Sequence, residues 1–320
     1  MRRDSVATLA TYLLAALALI GVSYALPRLL PGDFVSATWG QSEAILTASQ
    51  EAALRTHYLQ DQSFGNYLLN LLRGQWGYSF ALEQPVLSLI SEALPWTLLL
   101  MGGAHLMASL CGFLIGVELA WRRGAKRERF GIGVMSALDA IPELVSGTLL
   151  LLVFALHLKW LPPGGAITPY ADLGPISLLF DLGRHLLLPL SCLFLAYLPG
   201  NVLLARGSMV MVLRAPYVTT ARAKGLPPWR VRYAHGARNA LLPMVTRFGL
   251  RFSFMVTGAL VVENLFSYPG LGTLLHQAIA QRDLPLVQGI VLLSSLLLLS
   301  VNLGLDLLYR RIDPRVCHGR

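Results

Sequence analysis

Asp139 and Glu143 stand four residues apart in an otherwise apolar run, with Pro142 between them. In an unbroken helix that spacing sets both carboxylates on one face. At 1.5 Å per residue they would lie roughly 10–17 Å into a membrane span starting near Ile132. Carboxylates are costly against hydrocarbon, so this face is expected to line a pathway or to meet another polar group. Arg247 and Arg251 repeat the four-residue spacing in a later apolar run. They could pair with the acids across a helix bundle. Alternatively the acids touch a solute directly, and that solute would then be cationic. An intramembrane hydrolase would need paired aspartates or a zinc-binding His-Glu-x-x-His. Asp139 and Asp306 are the only candidate aspartates, and the His motif is missing. His105, His157 and His185 have no His partner at helical spacing, so packing or capping is expected of them rather than metal binding. Cys111, Cys192 and Cys317 form no disulfide or metal framework. No Gly-x-x-x-x-Gly-Lys-Ser/Thr phosphate loop occurs, so no catalytic residue, metal site or cofactor is assigned to this chain.

These residues must be held by membrane-spanning elements. Of 320 residues, 55% are hydrophobic and only 13% charged, about half the charge of a soluble domain. The mean hydropathy is +0.58. The apolar runs are continuous and reach the roughly 20 residues that cross a bilayer, which favours helices over a transmembrane β-barrel. Six spans are expected: Val6–Leu30, Leu94–Ala120, Ile132–Leu158, Arg184–Ala205, Asn239–Val262 and Leu286–Tyr309. The first is longer than a signal core, and no small-residue cleavage site follows it, so it is expected to stay as an anchor. The fold class is therefore an all-α integral membrane protein, with residues 1–320 forming one membrane domain.

Basic residues set the orientation. Residues 2–3, 121–131, 206–238 and 310–320 carry 18 of the 26 Lys and Arg. With six spans, all four segments fall on one side. The positive-inside rule makes that side the cytoplasm and puts both termini there. The net charge of +9 is thus explained by topology and membrane lipid rather than by nucleic acid. Residues 31–93 become one large external segment, with a short helix expected near Thr47–Leu59. Gly112 and Gly116 permit close contact of the second span with a neighbour. Glu118 is expected to reach the inner interface, and Glu263 and Asp283 to be solvated beside the last external loop.

The inner loop 206–238 has the most specific pattern. Thr219 or Thr220 could cap a short helix containing the small residues Ala221 and Ala223. Gly225 could end it, and Pro227-Pro228 forbid its continuation. The product is a short, small-faced helix on the cytoplasmic side that another protein could approach closely, with Arg and Lys suited to acidic groups or lipid phosphates.

Tyr217 to Leu226 (Tyr-Val-Thr-Thr-Ala-Arg-Ala-Lys-Gly-Leu), followed by Arg238-Asn-Ala-Leu-Leu-Pro243, resembles the coupling loop of ABC-importer permeases of the peptide/nickel family. Other stretches follow the same order along the chain: Pro31-Gly-Asp33, Leu59-Gln-Asp-Gln62, Glu263-Asn-Leu-Phe-Ser-Tyr-Pro-Gly-Leu-Gly272 and Arg282-Asp-Leu-Pro285. Thr219-Thr220-Ala221 stand where the general importer motif begins Glu-Ala-Ala, and the acids around Pro142 are a departure from the family. The resemblance implies a type I importer permease in a bacterial inner membrane, carrying short peptides or, alternatively, nickel or a metal chelate. It implies coupling through Thr219, Thr220, Ala221, Ala223, Lys224, Gly225 and Leu226. The implied partners are a second homologous permease, an external solute-binding protein and two ATP-binding subunits that hold ATP and Mg.

Overall fold

The computed structural model describes residues 2–29, 63–79, 81–170, 173–253 and 260–312. The short helix expected at Thr47–Leu59 lies outside them. The chain divides into two compact units, residues 1–95 with 270–320, and residues 96–269.

The first unit contains α1 (Arg2–Leu29), α2 (Phe64–Leu72), a two-residue hairpin of β1 (Tyr78–Ser79) and β2 (Gln84–Pro85), α12 (Leu271–Ala280) and α13 (Leu284–Ile312). α1 packs on α13 and α2, and α12 on α13. Leu13, Leu14 and Val22 of α1 stay exposed, as suits side chains that meet lipid. Polar groups fix the pairing. Tyr12 donates to Asp306 at 2.8 Å, and Gln288 donates to the Ser23 carbonyl at 2.5 Å and to Tyr67 at 3.2 Å. Such bonds hold helices together where apolar contact alone gains little over lipid.

Asp283 corrects an expectation. It is buried rather than solvated. Ser79 Oγ donates to it at 2.6 Å, and its other oxygen accepts the Leu286 N–H at 3.1 Å. It therefore caps the first turn of α13 and ties the hairpin to that turn.

α3 (Val86–Trp121) starts in the first unit and continues into the second. The second unit adds α4 (Lys126–Asp139), α5 (Glu143–Leu150) with its π-helical continuation Leu151–His157, and α6 (Pro175–Val212). Then come α7 (Pro216–Ala223), α8 (Pro228–Arg230) and a π-helical stretch, Val231–Ala237. α9 (Arg238–Ala240), α10 (Leu242–Ser253) and α11 (Leu260–Leu265) complete it. Its core joins Leu100, Met101, Ala104 and Ala108 of α3 to Leu188, Cys192 and Leu193 of α6, with Val262, Phe266 and Tyr268. Gly112 and Gly116 bring α3 against α6. A Cβ on either would come within 2.6 Å of the Asn201 or Ala205 side chain, so no larger residue fits this crossing.

Glu263 is also fully buried, not solvated. Thr97 donates to its carboxylate at 2.6 Å. Burial and this carboxylate push the Tyr268 hydroxyl up to about 12.

Among the described residues, four helices are long and apolar enough to cross a membrane: 8–25 within α1, α3, α6 and 284–307 within α13. They overlap the expected first, second, fourth and sixth spans. The third is not one straight helix. α4 and α5 meet at a 91° bend and would count as a fifth span if taken together. The expected fifth span crosses residues 254–259, outside the described set; α9, α10 and α11 are its described parts.

Candidate functional site

The loop after α6 folds as a compact knob. Pro216 occupies the first turn of α7, where its missing N–H costs nothing and its fixed φ suits the helix. The helix thus begins three residues before the expected caps. Thr219 and Thr220 lie inside it, and Thr220 Oγ1 donates back to the Pro216 carbonyl at 3.1 Å. The C-terminus ends as expected from Gly225, whose φ is +71°. The Gly225 N–H reaches the Arg222 carbonyl at 2.9 Å and the Leu226 N–H the Ala221 carbonyl at 3.4 Å, a Schellman closure. Pro227 and Pro228 then turn the chain into α8.

The two faces of α7 differ. Val218 and Ala221 are buried against Val231, with Trp121, Val212, Leu213 and Leu226 around them. Thr219, Thr220, Ala223, Lys224 and Gly225 are exposed. Ala221 therefore belongs to the face that seats the helix, and Leu226 is half-buried behind it. The open face is small, polar and basic.

Residues 206–238 contain seven Lys or Arg and no acid, so their counter-charges come from elsewhere. Arg206 donates through Nε and Nη2 to Glu128 at 3.0 and 2.6 Å, and the Gly124 N–H binds the other carboxylate oxygen at 2.5 Å. Arg232 pairs with Glu118 of α3, and Tyr233 donates to the same oxygen at 2.7 Å. Accepting this bond, Glu118 holds the Tyr233 hydroxyl above its ordinary pKa of 10. Two guanidinium groups lie over the Trp121 ring, that of Arg232 at 4.8 Å and that of Arg222 at 5.3 Å. Asn239 donates to Tyr217 at 2.8 Å. Two carboxylates and one indole thus pin both ends of the loop to α3 and α4. Sequence reasoning singles out Glu118 but not its partner. The usable signal is the all-basic loop, which needs acids from the segment around residues 118–128.

The intramembrane candidates are arranged otherwise than expected. Asp139 and Glu143 do not share a helical face. α4 ends at Asp139, Pro142 has no N–H to continue the ladder, and α5 restarts at Glu143 after the bend. The acids therefore flank a corner. Arg247 and Arg251 do lie on one helix, α10. Glu143 is within electrostatic reach of Arg251, and Asp139 of Arg247. No ion pair within 4 Å joins the four among the described residues. Arg251 sits over the Tyr197 ring at 5.3 Å. Gly200 leaves room for Arg247, whose guanidinium lies where a Cβ would be. His105 packs as expected, stacked on Phe248 at 5.1 Å and edge-on to Tyr197 at 5.3 Å. His185 Nδ1 lies 2.9 Å from the Asp181 carbonyl oxygen one turn earlier inside α6, so it packs within the helix and caps neither end. Asp306, held by Tyr12 in the first unit, is committed to a structural bond.

Residues 109–318 match the family described as the binding-protein-dependent transport system inner membrane component. The chain is 35% identical to the di/tripeptide transport system permease protein DppB of Pseudomonas aeruginosa, covering 93% of this chain and 94% of that one. It is 35% identical to the oligopeptide transport system permease protein AppB of Bacillus subtilis, covering 92% and 93%. It is 34% identical to the glutathione transport system permease protein GsiC of Salmonella typhimurium, covering 90% of each. With its apolar spanning helices and its braced basic knob, the chain belongs to the binding-protein-dependent transport system inner membrane components and is a multi-pass inner-membrane permease subunit.

Proposed function

We propose that this chain forms half of the translocation pathway of an ATP-driven importer of short peptides. A second, related permease forms the other half, two ATP-binding subunits dock on the cytoplasmic side, and an external binding protein delivers the solute. The observation that carries this reading is the open face of α7, a small basic surface on a loop whose two ends are tied to α3 and α4. A surface so fixed can transmit the closing of a motor subunit as rigid-body motion. Peptides are favoured over nickel or a metal chelate because the chain-long relatives named above carry di/tripeptides, oligopeptides and glutathione. ATP and Mg belong to the partner subunits, and the cytoplasmic orientation of both termini follows from the basic inner segments.

Thr219, Thr220, Ala223, Lys224 and Gly225 are the residues proposed to touch the ATPase, with Ala221 and Leu226 holding them in place. A Gly225→Asp change puts a branched, negative residue on that surface at a left-handed φ. Expected in the reconstituted complex is loss of ATPase co-purification and at least tenfold slower ATP-driven tripeptide uptake, about the effect of 1.4 kcal/mol. Undiminished uptake would contradict the assignment.

A further inference from the structure

Resting on the peptide-permease reading, we infer that Asp139, Glu143, Arg247 and Arg251 form a zwitterion-accepting station. In it the guanidinium groups take the C-terminal carboxylate of a short peptide and the two acids take its α-ammonium group.

The four charges sum to zero, which removes the preference for a cation that the two acids alone would give. If they served only to neutralise one another, direct ion pairs would be the low-energy arrangement away from water. They are instead held apart. The corner at Pro142 carries the two acids, and the four-residue spacing of α10 carries the two arginines, with no ion pair within 4 Å between the sets among the described residues. Their surroundings keep them so. Tyr197 supports the Arg251 guanidinium, and Gly200 makes the space that Arg247 fills.

One donor in this region lacks a hydrogen-bond partner among the described residues: Nε of Arg247, on the helix that carries both arginines. Unsatisfied polar atoms in a low-dielectric interior are costly, and a ligand carboxylate can accept from such a donor. Guanidinium binds carboxylate through paired N–H groups, and carboxylates bind ammonium, both as charge-assisted bonds. A free short peptide carries one of each. A metal cation would meet two arginines.

The test uses the purified permease–ATPase complex without its binding protein, so that delivery does not select the ligand. A tripeptide with free termini and a central photoreactive residue is cross-linked, and labelled segments are identified by mass spectrometry. The unlabelled tripeptide, its N-acetyl form and its C-terminal amide then compete. Labelling is expected within 139–143 or 245–251, with each blocked peptide competing at least about tenfold more weakly, the effect of one lost charge-assisted contact. In Arg247→Gln/Arg251→Gln the amide should compete as well as the free peptide while the N-acetyl form still lags. Asp139→Asn/Glu143→Gln should show the reverse. Arg251→Lys, a milder change, should narrow the amide discrimination without removing it. Equal competition by all three peptides in the unmodified complex, or labelling only elsewhere, overturns the station. Wild-type tripeptide uptake in the complete transporter checks the importer reading separately. Uptake with no discrimination sinks only the station, whereas absence of uptake sinks the reading beneath it.

Discussion

Glu118 and Arg232 show how single residues set the knob. The pair joins α3 to the loop, and Tyr233 and Trp121 surround it. Glu118→Gln keeps the shape but weakens charge-assisted bonds that are worth about 1.5–3 kcal/mol each. The loop should then follow α3 less tightly. We predict that peptide imported per ATP hydrolysed falls several-fold while the ATPase stays bound, and that the exchange Glu118→Arg with Arg232→Glu restores much of the ratio. An unchanged ratio in Glu118→Gln would show that the pair only shapes the loop. At this scale the sequence is least informative about buried carboxylates. Asp283 and Glu263 read as solvated because their partners, Ser79 and Thr97, lie 204 and 166 positions away. Local sequence holds no trace of such a pair. The all-basic loop does imply external acids, but not which ones.

At the scale of elements, proline and glycine explain most of what is legible. Gly225 and Pro227-Pro228 mark the end of α7 because each acts on its own backbone. The start is harder to place because Pro216 opens the helix without a side-chain cap, while Thr219 and Thr220 have the chemistry of caps but sit inside it. Pro142 does more than loosen a helix. It breaks it, and whether a proline kinks or breaks a helix depends on packing far away in sequence. Gly112 and Gly116 are legible as a motif, and the structure supplies the surface they meet. Gly116→Ala should cost about 1–3 kcal/mol through overpacking against Ala205 and the Val202 carbonyl. A lower melting temperature in detergent checks this. Gly133→Ala, inside α4 where a Cβ meets nothing within 4 Å, is the control that should keep or slightly raise it through helix propensity. Equal melting of the two variants would refute the close crossing.

For the molecule as a whole, the distribution of basic residues and the order of the motifs along the chain already point to an importer permease. Hydrocarbon allows few solutions, so composition and spacing say a great deal about architecture. They say less about irregular helices. The broken third span is where a uniform helix rule fails, because protein neighbours can satisfy backbone groups there.

We propose that a membrane bundle presents α7 to a cytosolic motor. This is tested most directly by cysteine labelling of Thr220→Cys and Lys224→Cys, in a chain whose own cysteines are replaced, using a membrane-impermeant maleimide. Rapid labelling is expected in inside-out vesicles, with protection there by the bound ATPase, and no labelling in right-side-out vesicles. Labelling from the outside in intact right-side-out vesicles would contradict it.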